Sequence, residues 1–264
     1  MTDRSTLRPA SGGGIRDAWN ADRFAVGSFV FSPDPAHSEI IGLAGYDFVL
    51  IDTEHAPLGA LELTQHVRAA RVGGASPIGR VRQNDPAEIG RMLDTGVDGI
   101  VLPHVGLDAD RTREALSAMR YAPVGTRPTC SAVRSADYGL SSFPEASAEA
   151  NRDIIALGLV EDSIVLDRAD DLLAEFAFDV VVPGPGDLAT SLGVPGQLDH
   201  SLVLDAVDRI IAAARNAGSR VGMYVTNREQ ALRWAGAGVD LLIVSIDQRV
   251  LANAYRTLLT DIGA

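Results

Sequence analysis

Lysine is absent from this 264-residue chain, in which all 23 basic side chains belong to arginine. An arginine guanidinium stays protonated in proteins, so it cannot serve as an amine nucleophile. The absence of lysine excludes a lysine Schiff base, a pyridoxal phosphate anchored on lysine, and the lysine of a phosphate-binding loop.

Cysteine and long apolar runs are also scarce. Cys130 is the only cysteine, which excludes an internal disulfide framework and a metal site made of several thiolates. No apolar run approaches the roughly 18 residues that a membrane span needs, and residues 1–19 lack the apolar core of a secretion signal. We therefore expect a cytoplasmic protein without a membrane partner.

Charge of one sign is in excess, because 35 acidic residues give a formal net charge of -12. A nucleic-acid backbone needs a basic surface, so we expect no nucleic-acid partner. With 46% hydrophobic residues, the chain is long enough to bury a large core and to bind a small molecule.

Short runs rich in Val, Ile and Leu alternate with amphipathic stretches along most of the chain. The runs predicted as strands are 25–31, 46–52, 76–81, 98–103, 153–161, 178–183, 219–225 and 239–246. The stretches predicted as helices are 36–44, 61–71, 86–93, 109–119, 163–175, 202–217, 228–235 and 248–259. Continuous apolar runs are typical of parallel strands buried on both faces. Eight strand–helix repeats predict an α/β fold, the (β/α)8 TIM barrel, with a doubly wound open sheet as the alternative.

The predicted domain organisation is simple. Residues 1–22 are interpreted as a polar lead-in and residues 23–264 as a single barrel domain. The long segment 122–150 is interpreted as a loop on the active-site face that helps to choose the substrate.

Barrel enzymes carry their chemistry at the carboxyl ends of the strands. Glu161 ends the fifth run and Asp187 follows the sixth, so two carboxylates could converge on Mg2+ or Mn2+. Alternatively, each could cap the helix that follows it. The turn 184–187 could bind an anion through free N–H groups, or could be a structural turn.

Histidine and arginine complete the set of candidates. His55 follows the second run near Asp52 and suits acid–base chemistry, whereas Arg80 should meet a carboxylate or an oxyanion. His104 ends the fourth run and is a weaker candidate for lining the pocket. His66 lies within a helical stretch and is predicted to be an ordinary surface residue.

Four stretches match motifs of one known family. They are Asp52-Thr53-Glu54-His55-Ala56-Pro57, Ile78-Gly79-Arg80-Val81, Leu93-Asp94-Thr95-Gly96 followed by Gly99–Pro103, and Gly184-Pro185-Gly186-Asp187-Leu188. Over residues 24–260, their order and spacing resemble the HpcH/HpaI aldolases, which are class II metal-dependent pyruvate aldolases related to the citrate lyase β subunit. The resemblance implies a (β/α)8 barrel whose last helix is exchanged between subunits, usually in a homo-hexamer.

The resemblance also implies a reaction and its residues. The chain would be a carbon–carbon lyase that acts on a 2-oxo acid through a pyruvate or oxaloacetate enolate and an aldehyde. The implied roles are metal binding (Mg2+, Mn2+ or Co2+) by Glu161 and Asp187, enolate stabilisation by Arg80, acid–base catalysis by His55 with Asp94 and Asp52, and binding of the substrate carboxylate by the backbone of Gly186 and Asp187.

Two positions depart from the family pattern. Leu159 stands where the family usually has glutamine, two residues before the metal-binding glutamate, and Pro128 replaces the last glycine of a G-x-R-G loop. The alternatives are a CoA-ester lyase of the citrate lyase β type, a barrel isomerase with a phosphate site at 184–187, and a specialised or non-catalytic relative.

The last helical stretch, 248–259, carries an apolar face that must be buried. Its apolar residues are Val250, Leu251, Ala254, Leu258 and Leu259. In an ordinary barrel this helix would pack on its own first strand, whereas the family resemblance implies that it packs on a neighbouring subunit. We therefore expect a homo-oligomer.

Overall fold

The computed structural model describes residues 14–263 of the chain. Its strands are β1 Ala25–Val30, β2 Phe48–Asp52, β3 Ser76–Arg80, β4 Gly99–Leu102, β5 Ile155–Val160, β6 Val180–Pro183, β7 Arg220–Val225 and β8 Leu241–Ile246. These strands form a closed barrel in the order β1 to β8, and every recorded pairing is parallel. The (β/α)8 prediction is confirmed, and the open-sheet alternative is wrong.

Helices follow or precede the strands in the order that a parallel barrel needs. They are α1 Gly14–Asn20, α2 Ala36–Leu43, α3 Ala60–Val72, α4 Pro86–Asp94, α5 Ala109–Ala118, α6 Phe143–Asp153, α7 Ala169–Phe176, α8 Pro185–Ser191, α9 Ser201–Asn216, α10 Arg228–Gly236 and α11 Asp247–Asp261. Two 3-10 helices span Arg134–Gly139 and Ser163–Arg168. None of the helices within residues 14–263 has the length and apolar character that crossing a membrane requires.

The described residues form two compact units. The first comprises residues 14–77 and 224–263, and the second comprises residues 78–223. In the first unit β1 pairs with both β2 and β8. In the second unit β4, β5 and β6 pair successively and are buried along their whole length, as their continuous apolar sequences predict.

Helix α1 changes the boundary that the sequence suggests. It lies within the predicted lead-in, yet its Ile15 and Ala18 are buried. Trp19 donates from Nε1 to the Asp240 carbonyl at 3.0 Å. Residues 14–20 therefore belong to the first unit, because an apolar helix face outweighs the polar character of the surrounding sequence. Residues 1–13 of the proposed lead-in lie outside the described residues.

His66 is a second correction within the first unit. The sequence predicts an exposed helical residue, but His66 on α3 has no accessible surface. Its Nδ1 lies 2.8 Å from Ser38 Oγ on α2. Burial lowers the pKa of His66, because removal from water disfavours the charged imidazole.

The long segment 122–150 lies at the opposite end of the strands from the one predicted. It belongs to the connection from α5 to β5, and in a parallel barrel the helix-to-strand connections lie at the amino ends of the strands. Its Arg127 donates to Asp94 Oδ1 on α4 at 2.9 Å and stacks over Tyr121 at 4.5 Å. The segment also contains α6 and a 3-10 helix, so it is not one loop over the active-site face.

Helix α11 presents its apolar residues to solvent in the single chain. Only Asp247 of this helix is buried. The exposed apolar residues are Val250, Leu251, Tyr255, Leu258 and Leu259. The alternative in which this apolar face is buried on the chain's own first strand therefore does not hold.

Candidate active site

The carboxyl ends of β5 and β6 bring Glu161 against Gly184. Val160 is in register with Pro183, and Gly184 donates its N–H to the Val160 carbonyl at 3.0 Å. Glu161 is 4% exposed. A Cβ built on Gly184 would lie 2.6 Å from Glu161 Cβ and 2.8 Å from Oε2. Gly184 is therefore required for the Glu161 carboxylate to lie where it does.

His104 approaches the other oxygen of Glu161 from the end of β4. Its backbone N–H donates to Glu161 Oε1 at 3.0 Å, and its Nδ1 lies 2.9 Å from Asp162 Oδ2. His104 has φ of 50°, in the left-handed region that side chains rarely adopt. From the sequence, His104 is a weak candidate for lining the pocket. Its position after a strand-ending proline and the acidic pair Glu161-Asp162 are nevertheless visible there.

Asp187 lies in the first turn of α8, which follows β6. It is exposed, and a Cβ on the neighbouring Gly186 would meet nothing within 4 Å. Neither Glu161 nor Asp187 acts as the predicted helix cap. The residue before α8 is Gly184, and the residue before the 3-10 helix Ser163–Arg168 is Asp162, without a side-chain cap.

Arg80 is the last residue of β3 and is 7% exposed. It is in register with Val101 of β4, the strand that leads to His104. Asn84 joins the two strand ends, because its Nδ2 donates to the Pro103 carbonyl at 2.8 Å. The second unit thus carries a buried arginine at the end of β3, a buried carboxylate after β5 and an exposed carboxylate after β6.

These residues fit a hard divalent cation. Within residues 14–263, no three histidine, cysteine, aspartate or glutamate side chains converge in a metal-binding group. Glu161 and Asp187 follow the neighbouring strands β5 and β6, so they could supply two carboxylates to such a site. Mg2+ is usually held in this way, by one or two carboxylates together with water and substrate oxygens. The Gly184 cradle holds Glu161, and the open space at Gly186 leaves room for a ligand.

Asp52 and His55 belong to the first unit and form a turn after β2. The Asp52 side chain is fully buried, and its Oδ1 accepts the His55 N–H at 2.7 Å. The His55 side chain is 60% exposed, with Nε2 3.8 Å from Glu54 Oε2. Asp52 therefore shapes the turn that presents His55, because it accepts a hydrogen bond from the His55 backbone.

Asp94 does not join the carboxylates of the second unit within one chain. It is the last residue of α4, which places it at the amino end of β4, the opposite end from Glu161 and Asp187. Its recorded partner there is Arg127, whose side chain is 1% exposed. Within one chain Asp94 therefore forms an ion pair with Arg127, and its part in acid–base catalysis with His55 stays a prediction.

Leu159, the departure from the family motif, is buried in β5. Its carbonyl accepts the N–H of Val105 at 2.9 Å, which ties the segment after β4 to β5. Leu159 has no polar side chain that could form a hydrogen bond with Glu161. The backbone N–H of His104 forms one instead.

A barrel with a buried carboxylate and a buried arginine at its strand ends is the architecture of a metal-dependent aldolase. The chain belongs to the HpcH/HpaI aldolase/citrate lyase family, whose model matches residues 25–254. The resemblance seen in the sequence motifs is confirmed. The chain is accordingly a class II aldolase, a carbon–carbon lyase.

Two curated relatives and one solved structure illustrate the similarity. A hydroxypyruvate/pyruvate aldolase of Rhizorhabdus wittichii is 31% identical over 95% of this chain and 98% of its own. A 4-hydroxy-2-oxo-heptane-1,7-dioate aldolase of Salmonella arizonae is 30% identical over 95% and 94%. The crystal structure of a family protein from Burkholderia cenocepacia has a TM-score of 0.87 and 28% identity, over 95% of this chain and 98% of that one.

Proposed function

We propose that this aldolase makes or breaks the carbon–carbon bond beside a pyruvate-like 2-oxo acid, with an aldehyde as the second reactant. The observation that carries the proposal is the buried Glu161 carboxylate, held against Gly184 at the end of β5. The relatives named as pyruvate and hydroxy-oxo-acid aldolases support the substrate class. The absence of lysine supports a metal instead of an iminium as the electron sink.

The metal would be held by Glu161 and Asp187, with Mg2+, Mn2+ or Co2+ as candidates. When bound, the cation supplies Lewis-acid stabilisation of the negative charge on the keto oxygen, worth several kcal/mol. Two carboxylates leave coordination positions for substrate and water.

The remaining roles fall to side chains and backbone groups of this chain. Arg80 would donate hydrogen bonds to the 2-oxo oxygen as negative charge develops there. The N–H groups of Gly186 and Asp187 would bind the substrate carboxylate. His55 would move the proton of the aldol hydroxyl, and Asp52 would hold the turn that presents His55. Asp94 receives no role in the site of its own chain.

The test is a retro-aldol assay on a 4-hydroxy-2-oxo acid. Activity should vanish with a chelator and return with Mg2+, Mn2+ or Co2+. Glu161→Gln and Asp187→Asn should each abolish turnover, whereas Asp167→Asn, at a residue whose side chain is 92% exposed, should not. Retained turnover in either ligand variant would refute the metal assignment. Turnover of malyl-CoA or citramalyl-CoA without turnover of free 2-oxo acids would establish the CoA-ester lyase alternative.

We also propose that α11 packs on a second copy of the chain in a homo-oligomer, with the hexamer that the family resemblance implies as the expected state. Its apolar face is exposed in the single chain, and α2 exposes Ile40 and Leu43 as an apolar surface that could receive it. Burial of large apolar side chains would stabilise such an assembly. The exposed free thiol of Cys130 fits a reducing compartment, so we propose a cytoplasmic location.

A further inference from the structure

The ring of His104 lies beside two carboxylates and can donate its Nδ1 proton fully to only one of them. Nδ1 lies 2.9 Å from Asp162 Oδ2 and 3.6 Å from Glu161 Oε1. The shorter distance is a hydrogen bond and the longer one is not. An ionised carboxylate can only accept a hydrogen bond, so Nδ1 carries the proton in this contact and donates a hydrogen bond to Asp162.

The backbone N–H of His104 forms a hydrogen bond with Glu161 that does not involve the ring. This N–H donates to Glu161 Oε1 at 3.0 Å while φ is 50°. A left-handed conformation is strained in a residue other than glycine, and it persists where surrounding contacts enforce it. Glu161 thus receives a neutral backbone donor from His104, while the imidazole is directed to Asp162.

We propose that Asp162 is a positioning residue that keeps the His104 imidazole proton away from Glu161, so that the Glu161 carboxylate can bind the divalent cation. Without Asp162, a small rotation would shorten the 3.6 Å separation and bring a hydrogen bond from the imidazole to Glu161 Oε1. That bond would compete with the cation for the same oxygen. This inference rests on the proposed function, because it takes Glu161 as a metal ligand.

The test is a double-mutant cycle on Mn2+ affinity, measured by electron paramagnetic resonance without substrate. Asp162→Ala should weaken Mn2+ binding by about 10- to 100-fold, the usual cost of losing a residue that orients a metal ligand. His104→Gly removes the ring, keeps the backbone N–H and tolerates the positive φ. In that background Asp162→Ala should have almost no further effect, because the competing imidazole is gone.

A purely electrostatic role for Asp162 gives a different pattern. Asp162→Asn keeps an oxygen acceptor for Nδ1 but loses the negative charge, so we expect it to retain most of the Mn2+ affinity. The proposal is overturned if Asp162→Asn is as damaging as Asp162→Ala, or if Asp162→Ala is equally damaging with and without the His104 ring. If Asp162→Ala fails to fold by circular dichroism, Asp162→Asn is compared with wild type instead: Mn2+ affinity close to wild type supports the positioning role, and a loss of about 10- to 100-fold refutes it.

Glu161→Gln separates failure of this inference from failure of the proposed function. If Glu161→Gln leaves Mn2+ affinity unchanged, Glu161 is not a ligand, and the proposed function loses its metal assignment. If Glu161→Gln abolishes binding but the cycle is additive, only the role of Asp162 is refuted.

Discussion

The side chain of Glu161 occupies the space in which a side chain at Gly184 would lie. An added Cβ at residue 184 would come within 2.6 Å of Glu161 Cβ, a distance that such atoms do not tolerate. We predict that Gly184→Ala displaces the Glu161 carboxylate and weakens Mn2+ binding by tenfold or more, which is about the cost of losing a residue that orients a metal ligand. Calorimetry measures the affinity without substrate.

Gly236→Ala is the matched control for that substitution. Gly236 ends α10, and a Cβ there would meet nothing within 4 Å. The Gly236→Ala variant should bind Mn2+ with the wild-type affinity. Wild-type affinity in Gly184→Ala would show that Glu161 does not need its observed position.

The absence of lysine predicts that no covalent adduct forms with substrate. An iminium needs an amine that is deprotonated near neutral pH, and no side chain in this sequence supplies one. Incubation with pyruvate and borohydride should therefore leave the intact mass of the protein unchanged. A lysine-dependent pyruvate aldolase, treated in parallel, should gain a pyruvyl mass increment. The same increment on this chain would contradict a metal-based mechanism.

His55 and Asp52 should differ in what their loss does. Removing a general acid–base residue lowers kcat by about 10^2- to 10^4-fold, so we expect this from His55→Gln with little change in KM. Asp52→Asn keeps an acceptor for the His55 N–H and should retain most activity, whereas Asp52→Ala should not. His200→Gln, at a half-buried histidine that precedes α9, is the control for steady-state kinetics. Full kcat in His55→Gln would remove this residue from the mechanism.

The buried imidazole of His66 should make the protein less stable in mild acid. Burial lowers its pKa in the folded state, so below about pH 6.5, the ordinary value, the unfolded chain binds more protons than the folded one. The unfolding free energy should then fall as pH falls, by at most about 1.4 kcal/mol per pH unit from this group. Asp247 and His37 act on the same imidazole with opposite signs.

Urea unfolding between pH 7.5 and 5 measures this dependence. His66→Leu should flatten the curve below pH 6.5 relative to wild type, whereas His200→Leu, at a half-buried histidine, should not. Parallel curves for His66→Leu and wild type would mean that His66 ionises equally in both states.

The apolar face of α11 should hold the oligomer together. Replacing Leu251 and Leu258 with aspartate places two charges on that face, and burying unpaired charges is strongly unfavourable. We expect the double variant to have the mass of a monomer by light scattering at micromolar concentration. Asn253→Asp, on the opposite side of the helix, should remain oligomeric. A monomeric wild-type protein would refute the assembly.

The strands and main helices were predictable because their signals are local. Each predicted strand lies within two residues of the observed one at both ends, since continuous Val, Ile and Leu runs mark buried parallel strands. Helix α1 was missed because Ile15 and Ala18 are its only buried residues with a side chain, in an otherwise polar stretch. Segment 122–150 was placed at the wrong end because its length, and not its place between a helix and a strand, guided the prediction.

The sequence by itself determined the elements of the barrel, the absence of an amine for iminium chemistry, and the motifs that carry Arg80, Glu161 and Asp187. Only the tertiary structure decided that Glu161 lies between Gly184 and His104, that the His104 ring lies against Asp162, and that Asp94 pairs with Arg127. The burial pattern of a strand or helix can be predicted from residues that are adjacent in the sequence. Which side chains meet depends on strand register and backbone turns, such as the left-handed turn at His104, which join residues far apart in the chain.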